Sequence, residues 1–325
     1  MSVSESIQQF LAKWESEVPT LTVQTSGSTG KPKRICVEKR RMRASARMTC
    51  RFLGLQKGQT ALLCMPLQYI AGQMMVIRAI EQELRLIATE PDGHPLADIV
   101  DSIDFAAMVP MQVWNSLRVP IERERLQRIG HLIIGGGAIS AELEQELQRM
   151  PNAVWSTYGM TETLSHIALR RISGPDATLW YTPLPGIRLS QDASTQTLII
   201  HAPALNPERL HTRDIVEFDT AGRFRILGRT DNTISSGGIK IQLEEVEALL
   251  HRHFGPELLA TARPDGKFGE ALVLLTTRPI DSQQLTAVLK DHPYWRPKDI
   301  LLVPRLPLTG TGKPDRAAAR VIAQV

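Results

Sequence analysis

Nine consecutive residues near the start of the chain combine glycines, hydroxyl groups and lysines in a pattern that suits phosphate binding. The stretch reads T-S-G-S-T-G-K-P-K, residues 25–33. Glycines let the backbone turn sharply and approach a ligand, while hydroxyls, backbone N–H groups and lysines offer hydrogen bonds and positive charge to phosphate oxygens. The candidate residues are Thr25, Ser26, Gly27, Ser28, Thr29, Gly30, Lys31 and Lys33. They predict a polyphosphate ligand.

Apolar runs at residues 21–24 and 33–37 predict a strand on each side of this stretch, which is therefore expected to be a loop between two strands. An ordinary hairpin turn would also use Gly, Ser and Thr, although it would not need two lysines. A Walker A loop would require G-x-x-x-x-G-K-[ST] leading into a helix. Here only two residues separate Gly27 from Gly30, and a proline follows Lys31. The Walker A interpretation fails on both spacing and context.

Residues 158–163, Y-G-M-T-E-T, form the second motif, and together with residues 25–33 they resemble the adenylate-forming superfamily, which includes acyl-CoA synthetases. The resemblance implies that Tyr158 stacks on adenine, that Gly159 belongs to the nucleotide-binding site and that Thr161 reaches the α-phosphate. It also implies that Glu162 holds Mg²⁺, an ion that accepts one or two carboxylates beside nucleotide phosphates.

Two further segments follow predicted strands. Residues 131–140, H-L-I-I-G-G-G-A-I-S, end a strand in three glycines and begin a helix for which Ser140 is a plausible N-cap. By resemblance, Gly135, Gly136, Gly137 and Ala138 line the adenine slot, although a tight strand-to-helix turn would also explain them. Tyr69 lies where the family often has an acyl-pocket gate, and simple core packing is the alternative for this residue.

The later motifs resemble the family in the same order along the chain. T-R-D at residues 212–214 resembles a ribose-binding motif, so Asp214 would accept the ribose hydroxyls and Arg229 would contact ribose or phosphate. Asp231 matches the hinge position, and Gly237 and Gly238 match a loop that approaches the CoA arm. Residues 306–316, L-P-L-T-G-T-G-K-P-D-R, resemble the terminal motif, whose catalytic lysine would be Lys313.

The periodicity of the chain predicts how these residues are positioned. Apolar strands alternate with amphipathic helices up to about residue 150, which predicts an α/β domain whose sheet is covered by helices on both faces. Short alternating segments between residues 178 and 225 predict a small antiparallel subdomain. The remaining chain predicts a small α+β lobe, which the resemblance implies is mobile. The expected domains are residues 1–228 and 229–325.

Composition narrows the functional class further. The 325 residues contain 38 Lys+Arg and 34 Asp+Glu, a net charge of +4 that suits an anionic small molecule better than nucleic acid. The basic run K-R-R-M-R-A-S-A-R at residues 39–47 is interpreted as a solvated helix face, because no aromatic residues are interleaved with it. Three widely spaced cysteines indicate neither zinc nor disulfides. We expect a soluble cytoplasmic protein that contacts neither membrane nor nucleic acid. A monomer and a homo-oligomer both remain alternatives.

The resemblance implies that a carboxylate attacks the α-phosphate of MgATP and that a thiol, expected to be CoA, then accepts the acyl group. P-L-x-x-x-A-G, I-S-S-G-G and E-E-V-E resemble the o-succinylbenzoate:CoA ligase branch of menaquinone biosynthesis, which includes compact forms. Only 24 residues precede Thr25, whereas the family usually has a long subdomain there, so completion of the acyl pocket is an open question. Another aryl- or acyl-CoA ligase, an adenylation enzyme charging a carrier protein, and a non-catalytic nucleotide-binding module remain alternatives.

Overall fold

The structure is a computed structural model that describes residues 2–24, 34–309 and 314–324. Contacts divide the described chain into two compact units. Unit 1 draws on residues 1–190, 199–210 and 218–224, and unit 2 on residues 191–198, 211–217 and 225–325. The domain boundary expected between residues 228 and 229 stays a prediction.

Unit 1 begins with an alternation of helices and strands. In chain order these are α1 (Val3–Glu15), β1 (Thr20–Gln24), β2 (Arg34–Glu38), α2 (Lys39–Leu53), β3 (Thr60–Leu63), α3 (Ile70–Glu81), β4 (Arg85–Ala88), β5 (Phe105–Met108), α4 (Pro110–Ser116), α5 (Pro120–Arg128), β6 (His131–Ile134), α6 (Ala141–Gln148), β7 (Ala153–Gly159), β8 (His166–Arg171) and β9 (Thr182–Pro183).

Strands β3 to β9 form one seven-stranded sheet in the order β4-β3-β5-β6-β7-β8-β9. The strands from β4 to β7 are parallel, and β8 and β9 add an antiparallel edge. Every residue of β3 and β5 is buried, as expected for strands covered on both faces. On one face, Val113, Leu126 and Leu143 of α4, α5 and α6 pack against the sheet. The predicted α/β fold class is confirmed.

Helix α2 carries the basic run, and its arginines are largely paired. Arg43 and Arg47 lie 3.2 and 2.7 Å from the carboxylate of Glu81 on α3. The ammonium of Lys39 is buried at the start of the helix and donates to the carbonyl of Ser16 at 2.7 Å. These contacts give the basic side chains partners within the fold.

Four strands follow, β10 (Arg188–Gln191), β11 (Thr197–His201), β12 (Leu210–Phe218) and β13 (Phe224–Arg229). They form a separate sheet whose order, β10-β11-β12-β13, follows the chain. This is the small subdomain that the short alternating segments predict.

The elements after β13 all belong to unit 2, and they are β14 (Thr233–Ser236), β15 (Ile239–Gln242), α7 (Leu243–Phe254), β16 (Leu258–Asp265), β17 (Gly269–Thr276), α8 (Ser282–Val288), β18 (Asp299–Leu302) and α9 (Arg316–Ile322). Alternate residues of β16 and β17 point to opposite faces. One set packs against α7 and α8, and the other packs against Ala319 and Ala323 at the end of the chain. The predicted α+β lobe is therefore present.

No described helix is both long and apolar enough to cross a bilayer.

Candidate functional site

Three of the predicted motif segments lie at one edge of the seven-stranded sheet. Tyr69 follows β3, Gly135 follows β6 and the residues after Gly159 follow β7, and all three strands are parallel. Strands β6 and β7 are neighbours, and only β5 separates β3 from β6. The carboxyl ends of parallel strands share one edge, which is where open α/β sheets bind their ligands. Segments far apart in sequence are therefore assembled into one candidate site.

The second motif reverses the chain at this edge. After β7, residues Thr161–Thr163 form a single 3-10 turn, and the chain returns as antiparallel strand β8. The buried hydroxyl of Thr163 donates to the Ser165 carbonyl at 2.7 Å and accepts from the Met160 N–H at 3.0 Å. This fixed turn leaves Glu162 exposed at its tip.

Gly159 is required by the same turn. A Cβ at this position would lie 2.4 Å from the Ser165 carbonyl oxygen and 2.5 Å from the His166 Cα, both of which are backbone atoms that cannot rotate away. Any other residue here would push the turn and β8 apart. The glycine of the motif thus has a packing reason that is independent of a ligand.

Tyr158 is 8% exposed and its ring belongs to an aromatic cluster. Its centroid lies 5.1 Å from that of Phe224 and 6.0 Å from that of Tyr181, both in edge-to-face geometry. The Tyr181 hydroxyl in turn lies 2.8 Å from the Ser156 hydroxyl on β7. Edge-to-face packing fixes the orientation of a ring that would have to meet a flat base.

The glycine segment after β6 is held tightly to β7. A Cβ on Gly135 would lie 2.4 Å from Thr157 Oγ1, and Gly136 has a φ of +77° that favours glycine. Ser140 caps α6 by accepting from the Leu143 N–H, as predicted. Both glycines therefore fit the alternative of a tight strand-to-helix turn, and the lining of an adenine slot by Gly135, Gly136, Gly137 and Ala138 stays a prediction.

A buried polar cluster next to the Glu162 turn was missed by the sequence analysis. Arg78 on α3 is 2% exposed and donates to the Ser165 hydroxyl at 2.7 Å. Its Nε has no hydrogen-bond partner, and within residues 2–24, 34–309 and 314–324 the guanidinium forms no ion pair. Beside it, His166 Nε2 lies 3.0 Å from the Thr49 hydroxyl on α2. The available signal was one arginine inside the apolar run M-M-V-I-R-A-I.

Burial affects the pKa values of both ionisable groups in this cluster. Desolvation lowers the pKa of Arg78 to about 10, so the guanidinium stays charged at neutral pH. Desolvation, together with the positive charge of Arg78, lowers the pKa of His166 well below its ordinary value, so the imidazole is neutral. The cluster therefore carries a net positive charge close to the second motif.

The predicted phosphate loop lies outside the described residues, so Thr25, Ser26, Gly27, Ser28, Thr29, Gly30, Lys31 and Lys33 stay predictions. The strands on either side of it are described. β1 and β2 pair antiparallel, with Thr20 opposite Glu38 and Gln24 opposite Arg34. Residues 25–33 therefore connect two neighbouring strands, which confirms the predicted flanks.

In unit 2, the ribose and hinge candidates contact one another directly. Arg229 Nη1 lies 3.0 Å from Asp214 Oδ1, while Nε and Nη2 each lie 2.9 Å from an oxygen of Asp231. The hydrogen bond from Arg229 is the main cause of the lowered pKa of Asp231. Asp214 is 8% exposed and its N–H donates to the Thr212 hydroxyl at 3.1 Å. One arginine thus bridges the two carboxylates that the resemblance assigns to ribose and hinge.

Gly237 and Gly238 form the turn between β14 and β15, with φ values of +58° and +84°. The Gly237 N–H donates to the Phe268 carbonyl at 2.8 Å. The Phe268 ring is 41% exposed, and the ammonium groups of Lys267 and Lys298 lie 5.1 and 5.9 Å from its centroid. This exposed ring with two nearby cations was not identified from the sequence.

Lys313 lies outside the described residues. Leu308 and Pro314, on either side of residues 309–313, form an isolated antiparallel bridge.

The chain matches a protein-family model and a solved structure. A family model described as AMP-binding enzyme matches residues 9–191. A solved structure from Dyadobacter fermentans, described as an acyl-CoA synthetase (AMP-forming)/AMP-acid ligase II-like protein, is 34% identical with a TM-score of 0.67. The match covers 95% of this chain and 91% of that one.

Curated and structural relatives with a narrower description are less similar in sequence. A 2-succinylbenzoate–CoA ligase from Salmonella typhimurium is 28% identical over 78% of this chain, which spans 56% of that relative's length. The Bacillus subtilis o-succinylbenzoate CoA synthetase in complex with the acyl-adenylate OSB-AMP has a TM-score of 0.74 at 22% identity. That match covers 92% of this chain and 68% of the Bacillus chain, and it shows likeness of fold.

Proposed function

We propose, from the premise that this chain belongs to the AMP-binding enzyme family, that it is an AMP-forming acid–CoA ligase acting on o-succinylbenzoate. The observation that carries the proposal is that β7, which contains Tyr158 and leads into Thr161 and Glu162, runs parallel beside β6, which leads into Gly135, so both segments leave the main sheet at its carboxyl edge. In an open α/β sheet this edge is the expected ligand site. The 2-succinylbenzoate–CoA ligases among the relatives support the choice of acid.

The reaction proceeds in two steps, adenylate formation and thioester formation. First, an oxygen of the substrate carboxylate bonds to the α-phosphorus of ATP, and the bond from that phosphorus to pyrophosphate breaks. Second, the CoA sulfur, having lost its proton, bonds to the acyl carbon and AMP departs with the shared oxygen. Both steps shift negative charge among phosphate and carboxylate oxygens, so fixed positive groups and hydrogen-bond donors are the main catalytic resource.

The candidate residues divide these tasks. Thr161 donates to the α-phosphate, the rigid ring of Tyr158 meets adenine, and Asp214 with Arg229 holds ribose. The phosphate-loop residues Thr25 to Lys33 bind the leaving pyrophosphate, and Lys313 bridges the carboxylate and α-phosphate during the first step. Their hydroxyl, ammonium and carboxylate groups match the charges of the nucleotide groups they would contact.

The carboxylate oxygens of Glu162 are chemically suited to bind Mg²⁺. The carboxylate is exposed, and within the described chain it takes part in no ion pair. Mg²⁺ prefers hard oxygen ligands and is usually held by one or two carboxylates together with substrate phosphates. No group of three or more His, Cys, Asp or Glu residues in the described chain forms a ready metal cage. When bound with ATP, the ion would neutralise phosphate charge.

Arg78 supports a substrate with a second, non-reacting carboxylate. A buried charge without a partner is strongly destabilising, because the loss of hydration is not repaid by an ion pair. A substrate carboxylate would supply the missing partner for the guanidinium, whose Nε has none among the described residues. o-Succinylbenzoate has one carboxylate to activate and another to pair with Arg78. Benzoate and fatty acids have only the first.

The exposed Phe268 ring supports CoA as the thiol acceptor. CoA carries an adenine base and several phosphates, and the ring with Lys267 and Lys298 combines a stacking surface with positive charge. Lys298 also pairs with Asp265, so only part of its charge is available. The ring adjoins Gly237, which the resemblance assigns to the pantetheine arm.

The deciding experiment measures pyrophosphate release with o-succinylbenzoate, benzoate and a fatty acid, each with and without CoA. We expect o-succinylbenzoate to exceed the others by a large factor, because leaving the Arg78 contact unpaired discriminates strongly against a monocarboxylate. AMP formation should depend on CoA and yield the thioester. Equal or faster turnover of a monocarboxylate would reject the acid. Adenylate formation without transfer to CoA would favour a carrier protein, and no pyrophosphate with any acid would reject the ligase itself.

A further inference from the structure

A partly buried ion pair in unit 2 links three separate elements. Arg316 at the start of α9 contacts Glu247 of α7 through both nitrogens, with Nη1–Oε1 and Nη2–Oε2 distances of 2.6 and 2.8 Å. The same Nη1 donates to the Ala260 carbonyl on β16 at 2.9 Å, and the Ala260 N–H donates back to Glu247 Oε1 at 2.7 Å. Glu247 is 7% exposed. Two side chains and the backbone N–H and C=O of Ala260 thus form a closed hydrogen-bonded set.

This set, called here the Glu247–Arg316 clamp, is a main attachment of the last helix. α9 has only seven residues, of which Ala319 alone is fully buried, while Ile322 is partly buried against the same cluster. Small side chains bury little apolar area, so they fix a short helix weakly. A bidentate, charge-assisted pair also defines direction, because both nitrogens must face both oxygens. The clamp therefore sets where α9 begins.

The beginning of α9 is joined to the segment that carries Lys313, which is three residues before Arg316. Lys313 is not itself described, but its neighbours on both sides of residues 310–313 are held together. Leu308 bridges Pro314, and the Asp315 N–H donates to the Pro307 carbonyl at 2.9 Å. Asp315 also caps α9 by accepting from the Ala318 N–H. Whatever fixes Arg316 therefore also fixes Pro314 and Asp315, the described residues that follow Lys313 in the chain.

We propose that Glu247, acting through Arg316, is a positioning residue for adenylate formation, because it orients the base of the Lys313 segment. The inference rests on the proposed function, in which Lys313 bridges the carboxylate and the α-phosphate in the first step. Thioester formation does not use this lysine. Loss of the clamp should consequently impair the first half-reaction much more than the second, a split that a merely structural contribution would not produce.

The test replaces Glu247→Gln, which keeps the size of the side chain but removes its charge, and uses Glu245→Gln as control. Glu245 is exposed on the same helix and its substitution should change nothing. In Glu247→Gln, kcat for pyrophosphate release should fall about 10- to 100-fold, the loss that a misplaced catalytic group causes. Conversion of a supplied acyl-adenylate to thioester should change less than about twofold, within the usual additivity error. Arg316→Lys keeps the positive charge but cannot form two parallel hydrogen bonds to Glu247. Its kcat for pyrophosphate release should lie between those of the Glu245→Gln control and Glu247→Gln.

A double-mutant cycle with Lys313→Ala separates positioning from folding. If Glu247 acts through Lys313, Glu247→Gln should have almost no further effect on adenylation once the lysine is absent. Additive losses in the cycle, or equal losses in both half-reactions, would overturn the proposal. If Glu247→Gln does not fold, the same cycle is run with Arg316→Lys.

Hydrogen exchange can be measured without enzymatic activity, so it distinguishes failure of the clamp proposal from failure of the ligase proposal. Hydrogen exchange should accelerate in peptides from residues 304–324 of Glu247→Gln and stay unchanged in unit 1. Wild-type protein that releases no pyrophosphate with any acid would reject the ligase proposal, while unchanged exchange in this segment would reject the clamp.

Discussion

Arg229 donates to Asp214 at 3.0 Å with one nitrogen while its other two nitrogens hold Asp231. The residue assigned to ribose and the residue assigned to the hinge therefore share one guanidinium. Any ligand that competes for hydrogen bonds with Asp214 must also affect the partner of Asp231. The two predicted functions of this region are chemically linked by a single side chain.

Replacing Arg229→Met should raise the pKa of Asp231 toward that of an ordinary aspartate, because the hydrogen bond from Arg229 is the main cause of its depression. A carboxylate with a depressed pKa contributes stability above its unfolded pKa, and this contribution is lost as pH falls through the folded value. Carbon-13 NMR titration of the carboxyl group measures the change. Arg213→Met is the control, since Arg213 is exposed and lies 3.4 Å from Asp231. Similar shifts in both variants would contradict the assigned cause.

Glu162→Gln should weaken productive use of MgATP by at least about tenfold, because it removes the motif carboxylate suited to the ion. The measurement is pyrophosphate release as a function of Mg²⁺ concentration at limiting ATP. Glu208→Gln is a matched control, since Glu208 is an exposed glutamate close to the same turn. Its N–H donates to the Asn206 side chain, which in turn donates to the Glu162 carbonyl. Wild-type dependence on Mg²⁺ in Glu162→Gln would move the metal site elsewhere.

The sequence predicted the elements that have strong local signals. The strand at His131–Ile134 and the cap at Ser140 occur as predicted, because an apolar run and a hydroxyl before a helix act within a few residues. Helices α4 and α5 were missed, since each is short and its signal is mainly a proline at its start. Two short helices in the stretch 110–128 gave too little periodicity to be recognised.

The polar cluster was beyond sequence reasoning for a different reason. Thr49 and His166 are 117 residues apart and meet only because α2 and β8 pack together. The pairing depends on the whole sheet order, which local patterns do not give. The isolated Arg78 in an apolar helix was visible, but its missing partner is a property of the folded structure.

Arg78→Met should abolish discrimination in favour of the dicarboxylate. We expect the KM for o-succinylbenzoate to rise at least about tenfold, since a hydrogen bond to a charged group contributes ~1.5–3 kcal/mol. Stability should be unchanged or higher, because an apolar side chain replaces an unpaired buried charge. Benzoate turnover serves as the internal control and should change little. An unchanged KM for the dicarboxylate, or a large loss of stability, would show that Arg78 has an internal structural role instead.

His166→Gln should make the free energy of unfolding depend less on pH below neutrality. The unfolded imidazole gains a proton below about pH 6.5, whereas the buried one resists it because its pKa is lowered. The free energy of unfolding should therefore fall with acidification in wild type, by up to about 1.4 kcal/mol per pH unit from this group. Urea unfolding between about pH 7.5 and 5.5 measures the slope. His253→Gln, at an exposed position, is the control and should have the same slope as wild type. Parallel profiles for wild type and His166→Gln would contradict the buried neutral state.

Lys313→Ala and Gly238→Leu should damage opposite halves of the reaction. The lysine ammonium would act on charge shared between the attacking carboxylate and the α-phosphate. Its removal should cost adenylation about 10²- to 10³-fold, as for loss of one preorganised donor. Thioester formation from a supplied acyl-adenylate needs no such charge and should survive. Pyrophosphate release and thioester formation, measured separately, report the two steps.

Gly238→Leu should show the reverse pattern, because a side chain there would obstruct the turn assigned to the pantetheine arm. Its effect has to be separated from backbone strain, since Gly238 has a φ of +84°. Gly222→Leu is the matched control. Gly222 has a φ of +75°, and at both glycines an added Cβ meets nothing within 4 Å. The two variants therefore carry similar strain and differ in location. If both leave thioester formation equally intact, or if Lys313→Ala loses both half-reactions together, the division of labour between these two segments is wrong.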